Sequence, residues 1–255
     1  MKTKFLLLAM LLQSTFAIFS QSKSVEYKDG SNLLSGISVK PTKALKNNPG
    51  ILVLPAWMGI DDHAKDTANR LAAMGYTTFI ADIYGVNQRP KDYSQAGQKS
   101  GYFKKNIYEY QTRIQLALDQ LIKQGANPDD IVVLGYCFGG TGAIEAARTN
   151  MKVRGVVSFH GGLGKDATRA IDQIIPKILV LHGADDPYES KDEIDDFQNE
   201  MRSSGADWQM IFYANAVHSF TDINAGNDNS KGAAYNEKAE KRSWEAMLNF
   251  LKEVL

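Results

Sequence analysis

The sequence predicts an α/β fold with a mostly parallel sheet carrying helices on both faces, and three observations predict it. Six short apolar runs, at 51–54, 77–81, 131–134, 155–159, 178–181 and 209–213, have the length and density of strands buried on both faces. Stretches of helical periodicity lie between them, the pattern of parallel strands joined by crossover helices. Finally, 255 residues with 44% apolar content can bury one large core, and no linker, repeat or low-complexity tract interrupts them. Residues 21–255 therefore read as a single domain. A closed strand–helix barrel needs eight such units, more than the sequence offers.

In chain order, Lys2 and Lys4 precede an apolar run over 5–12 and then Ser14, Thr15, Ala17 and Ser20. A charged start, a short apolar stretch and small residues predict a signal peptide over 1–20, cleaved near Ala17 or Ser20, and hence a secreted or periplasmic protein. The apolar stretch is too short to span a bilayer. No cysteine stands at its end to accept a lipid, so no membrane anchor is expected after cleavage. Residues 25–40 read as a hairpin turning at Asp29-Gly30. A helix over 63–74 is closed by Gly75. Another over 103–123 has Phe103, Ile107, Tyr110, Ile114, Leu118 and Leu121 on one stripe. Between them, 85–101 is the longest stretch without periodicity and reads as a functional loop. Further helices are expected at 140–149, 189–202 and 236–254.

Charge and cysteine counts exclude several classes. With 29 basic and 29 acidic side chains and no basic run, the chain offers nucleic acid no electrostatic footprint. Its single cysteine excludes an intrachain disulfide, a four-cysteine zinc site and a CxxC redox pair.

That cysteine lies in Gly135-Tyr136-Cys137-Phe138-Gly139-Gly140, where an apolar strand runs into glycines and then a helix former. This is the pattern of a nucleophile elbow with cysteine in place of serine. Glycines two positions to either side make room where a Cβ would collide, and the helix N-terminus favours a thiolate. The alternative is a buried small hydrophobe, a common fate of a lone cysteine. Downstream, the strand at 177–181 ends in His182-Gly183-Ala184-Asp185-Asp186-Pro187, and the strand at 209–213 is followed by His218-Ser219-Phe220. The order nucleophile, acid, histidine, each after a strand, is that of the α/β-hydrolases.

From about Val25 to the C-terminus the chain resembles the dienelactone hydrolases, an α/β-hydrolase family with a Gly-x-Cys-x-Gly-Gly nucleophile turn and a histidine followed closely by phenylalanine. The resemblance implies Cys137 as nucleophile, Asp186 as acid with Asp185 as the alternative, and His218 as base, with no cofactor. Pro55-Ala56-Trp57-Met58-Gly59 matches the family's oxyanion loop, so the backbone N–H groups of Phe138 and Trp57 are the expected oxyanion donors. The implied substrate is a small ester or lactone. Two departures stand out. Ala56 occupies the position of a glutamate that holds the resting cysteine in some members. Val86 and Asp222 occupy those of two arginines that bind a substrate carboxylate, which argues against a dienelactone itself.

Other candidates weigh less. Trp57, Met58, Tyr84, Tyr136, Phe138 and Phe220 sit at predicted carboxyl ends of strands, where open sheets bind ligands, and suggest an apolar or aromatic acyl pocket. His160 and His182 suit structural hydrogen bonding at strand ends. Asp61-Asp62-His63 is better placed to cap a helix than to hold a metal, so none is expected. Gly139-Gly140-Thr141-Gly142 lacks a P-loop lysine, which favours packing. Arg89, Lys91, Lys99, Lys104 and Lys105 make a basic, solvated lid over the sheet edge. Two other classes compete with a hydrolase: a ligand-binding protein on the same fold, and a thiol redox sensor lacking a resolving cysteine.

Overall fold

The computed structural model describes residues 21–255; the expected signal peptide, 1–20, lies outside them. Eight strands form one sheet in the order β1-β2-β4-β3-β5-β6-β7-β8. The strands β1 (Gln21–Asp29) and β2 (Asn32–Lys40) form the expected hairpin at one edge, and β2 runs antiparallel to β4 (Thr77–Ile80). The others, β3 (Gly50–Leu54), β5 (Ile131–Tyr136), β6 (Gly155–Phe159), β7 (Lys177–Gly183) and β8 (Trp208–Tyr213), pair in parallel from β4 onward.

Period-2 alternation divides each central strand between two cores. Leu52, Leu54, Ile131 and Val133 face α3 (Ile107–Lys123), α4 (Phe138–Arg148) and α5 (Lys191–Ser203). Ile51, Val53, Val132 and Leu134 face α1 (Asp62–Ala73) and α6 (Glu237–Val254). Burial on both faces is why these strands read as unbroken apolar runs. β8 departs from that expectation: as the outer strand it is half-exposed over most of its length.

The helix expected over 103–123 is two helices. Asn106, at φ −104° and ψ 60°, ends α2 (Tyr93–Lys105) and precedes α3. The expected 85–101 loop is correspondingly short. Asp92 caps α2 by accepting the Gln95 N–H at 2.8 Å, so helix begins well inside it. Gly97 and Gly101 dilute the apolar pattern that would have announced that helix. Similarly, α5 starts at Lys191 rather than Glu189, because Ser190 and Glu193 form a capping box. Glu189 is thereby left on the preceding turn.

Candidate active site

Cys137 occupies the turn between β5 and α4 with φ 53° and ψ −114°, a conformation that costs a non-glycine residue on the order of 1–3 kcal/mol. The surroundings enforce it. A Cβ on Gly135 would stand 2.0 Å from the Gly139 carbonyl oxygen, and one on Gly139 would stand 2.1 Å from that of Leu54. The turn is fixed by the Cys137 N–H donating to the Phe159 carbonyl at 3.0 Å and the Thr141 N–H donating to the Cys137 carbonyl at 3.1 Å. Close packing, as expected, accounts for the glycine run: a Cβ on Gly142 would lie 2.5 Å from the Tyr110 hydroxyl.

The other two members converge on this turn. Asp186, buried at the end of β7, holds His218 Nδ1 at 2.8 Å through Oδ2 and accepts the Tyr188 N–H through Oδ1 at 2.9 Å. Asp185 is exposed and makes no such contact; its N–H donates to the Ala216 carbonyl at 3.0 Å. The His218 backbone is pinned to the 232–234 segment, donating to the Gly232 carbonyl at 3.2 Å and accepting from the Ala234 N–H at 3.0 Å. Its other face meets Cys137. Burial pushes the thiol up, but the His218 hydrogen bond and charge, with Lys104 and the Phe138 N–H, bring it below the ordinary thiol range. Burial likewise pushes the His218 imidazole down, and the Asp186 and Cys137 interactions outweigh it and push it up to about 10. Each interaction favours the charged form of its group, the thiolate at Cys137 and the imidazolium at His218, so the two titrate as a pair.

Of the expected wall residues, the structure brings only some to the site. Trp57 is 36% exposed and stacks on Tyr93 at 5.6 Å, and Met58 is half-buried beside it. Tyr84 is buried behind them, its hydroxyl donating to the Trp57 carbonyl at 2.7 Å and its ring stacked on Phe138 at 5.8 Å. Tyr136 and Phe220 do not line an accessible pocket. Strand alternation sends Tyr136 to the opposite core, against Phe159, with Thr67 donating to its hydroxyl at 3.2 Å. Phe220 is fully buried against His160 and Tyr213. Val86 is exposed, and the Asp222 carboxylate accepts the Asn224 N–H at 2.9 Å.

Among the remaining candidates, Asp61 caps α1 by accepting the Ala64 N–H at 2.8 Å. His160 is buried 5.2 Å from the His218 ring, with Nε2 2.8 Å from the Thr221 hydroxyl, and burial holds it well below the usual histidine range. His182 is buried with Nδ1 unpartnered. The basic lid is corrected in part, since Arg89 pairs with buried Asp82 at 2.8 Å and ties down the Ser35 carbonyl. Two neighbours were not singled out from the sequence. Tyr188 sets its ring edge-on to His218 at 5.2 Å, and Glu189 accepts the Leu163 N–H at 3.0 Å. Their only sequence signal is position, two and three residues beyond Asp186.

Residues 34–255 match the model of the Dienelactone hydrolase family. The chain belongs to the dienelactone hydrolase family. It is thus a hydrolase acting on ester bonds. The solved structure of a dienelactone hydrolase-like promiscuous phosphotriesterase from metagenomic libraries is 35% identical and covers 92% of this chain and 99% of its own, with a TM-score of 0.86. A Bradyrhizobium relative named "Probable 2-oxo-3-(5-oxofuran-2-ylidene)propanoate lactonase" is 27% identical over 80% of this chain and 83% of its own. An uncharacterized protein of Caenorhabditis elegans is 39% identical over 121 residues, 47% of this chain and 77% of that protein.

Proposed function

We propose that the protein is an exported, cysteine-dependent hydrolase of carboxylic esters or lactones, working through Cys137, His218 and Asp186 and a thioester acyl-enzyme. One observation carries the reading: the His218 imidazole is held by the Asp186 carboxylate at 2.8 Å and lies close enough for its charge to act on Cys137, a cysteine held at positive φ on a strand-to-helix turn.

In this mechanism the Cys137 thiolate attacks the substrate carbonyl, and the carbonyl oxygen becomes an oxyanion facing the Phe138 and Trp57 N–H groups. Each such donor contributes on the order of 3 kcal/mol in comparable sites. His218, already protonated, gives its proton to the leaving oxygen as the tetrahedral adduct collapses to a thioester. It then takes a proton from water, whose attack releases the acid and regenerates the thiolate. Asp186 fixes the tautomer through Nδ1 and stabilises the imidazolium. With alanine at position 56 in place of a glutamate, no acid competes for the sulfur, so the free enzyme is already armed.

The chemical part is tested with p-nitrophenyl acetate. Wild-type turnover should exceed that of Cys137→Ala and His218→Ala by orders of magnitude, and equal rates in the three proteins would remove the catalytic reading. Export is supported by the residue pattern at the N-terminus. N-terminal sequencing of protein recovered from outside the cytoplasm should start near Gln21, and an intact Met1 there would contradict it.

A further inference from the structure

A groove of about 820 Å³ lies between the α2–α3 junction and the 162–169 segment. No triad residue lines it, but two of its lining residues neighbour the triad. Thr141 stands one helical turn beyond Cys137, and Tyr188, on the same wall, packs against His218. A group esterified to an acyl unit on Cys137 has this space to extend into.

The lining is neither apolar nor of one sign. Four basic side chains, Lys104 among them, face it together with five carboxylates, Glu189 among them, so a hydrocarbon gains little there and an anion meets more negative than positive charge. Lys104 and Glu189 form no ion pair among the described residues. They flank Gly162, where a Cβ would lie 3.5 Å from Lys104 Nζ, 3.3 Å from Glu189 Oε1 and 3.0 Å from Thr141 Oγ1. Any side chain at 162 would occupy the gap between them. Thr141 Oγ1 accepts the Gly162 N–H at 3.0 Å, which leaves the hydroxyl proton to be donated.

Alcohol groups match such a set. A hydroxyl donates to a carboxylate and accepts from an ammonium, so two on neighbouring carbons can serve Glu189 and Lys104 together without bringing net charge. Tyr108, 76% exposed, and Tyr188, 57% exposed, add amphipathic rings against which the carbon face of a sugar can lie. We propose that this groove is the leaving-group subsite for a neutral polyhydroxylated alcohol, and that the natural substrates are acyl esters of sugars or related polyols. The inference rests on the ester-hydrolase reading above. In the reaction, Cys137 Sγ bonds to the acyl carbon, the bond from that carbon to the sugar oxygen breaks, and the sugar oxygen takes the His218 proton. Water then cleaves the thioester to the free acid. Burial, reinforced by Glu193 and opposed by the Leu163 N–H, pushes the Glu189 carboxyl up to about 7, so it can donate as well as accept near neutral pH.

Two measurements test the subsite separately from the chemistry. Calorimetric titration of Cys137→Ala with methyl β-glucopyranoside should show binding that Glu189→Ala, added to it, weakens about fivefold or more, as loss of one or two hydrogen bonds requires. In the active enzyme, the ratio of kcat/KM for the 6-O-acetyl glucoside to that for p-nitrophenyl acetate should fall by a similar factor in Glu189→Ala and in Gly162→Ser. No glucoside binding, an unchanged ratio, or preference for a carboxylate-bearing acetyl ester would overturn the proposal. Loss of the hydrolase reading would look different: Cys137-independent turnover with glucoside binding intact.

Discussion

His218 Nδ1 lies 2.8 Å from Asp186 Oδ2, while the neighbouring carboxylate of Asp185 is exposed to solvent. Two adjacent aspartates, indistinguishable by spacing alone, are thus divided by the turn after β7. Asp186→Asn should lower kcat for p-nitrophenyl acetate by about a thousandfold to ten-thousandfold, the loss expected when the imidazole tautomer is no longer fixed. Asp185→Asn should stay within a few-fold of wild type. Steady-state kinetics on the two variants decides between them.

The ion pair of the proposed mechanism gives a pH signature. A Cys137 that rests as a thiolate, in keeping with the lowered thiol, should be alkylated fast by iodoacetamide from pH 7 upward and slowly only under acid conditions. His218→Ala removes the strongest of the interactions that hold the thiol down and leaves only Lys104 and the Phe138 N–H to oppose burial, which pushes it up. The labelling midpoint should move to alkaline pH. A wild-type profile centred near the ordinary thiol value of about 8.5 would contradict the ion pair.

Backbone contacts at the elbow set a stability prediction. Gly139→Ala would bring a methyl within 2.1 Å of the Leu54 carbonyl oxygen, a contact that rigid strand and helix backbones cannot relieve cheaply. It should cost about 3 kcal/mol in urea unfolding. Gly30→Ala, with open space around its Cβ despite φ 56°, should cost about 1 kcal/mol. Equal costs at the two positions would count against the steric account.

A buried charge network braces the far wall of the groove. Glu145 on α4 accepts both Arg169 Nη1 at 3.0 Å and Nη2 at 2.7 Å, and also Arg148 Nη1 at 2.8 Å, while Arg148 reaches Glu200 at 2.7 Å. Glu145→Leu leaves Arg169 without its carboxylate and should destabilise the protein by about 3 kcal/mol. Hydrogen exchange should rise over 164–172. Unchanged exchange there would show that the segment does not depend on this clamp.

Much of this architecture was legible in the sequence because burial writes itself into composition. Strands β3 to β7, covered on both faces, show as apolar runs, and the glycines around Cys137 mark where backbones touch. What was hidden depends on contacts distant in sequence or on polar details. The α2–α3 break rests on the single conformation of Asn106, and the α5 start on the Ser190–Glu193 box. Tyr136 stands at the carboxyl end of β5, where a wall residue is expected, yet period-2 alternation puts it on the face of Leu134, away from α4. Glu189 gains its setting only where Leu163 and Lys104, from two other segments, approach it.

The central claim is that Cys137 carries the acyl group. Acid quenching of wild-type enzyme during p-nitrophenyl acetate turnover, followed by peptide mass mapping, tests it most directly. The account predicts one acetyl group, on the peptide containing Cys137 and labile to hydroxylamine as a thioester is. An acetyl group on any other residue, or undiminished hydrolysis by Cys137→Ala, would contradict it.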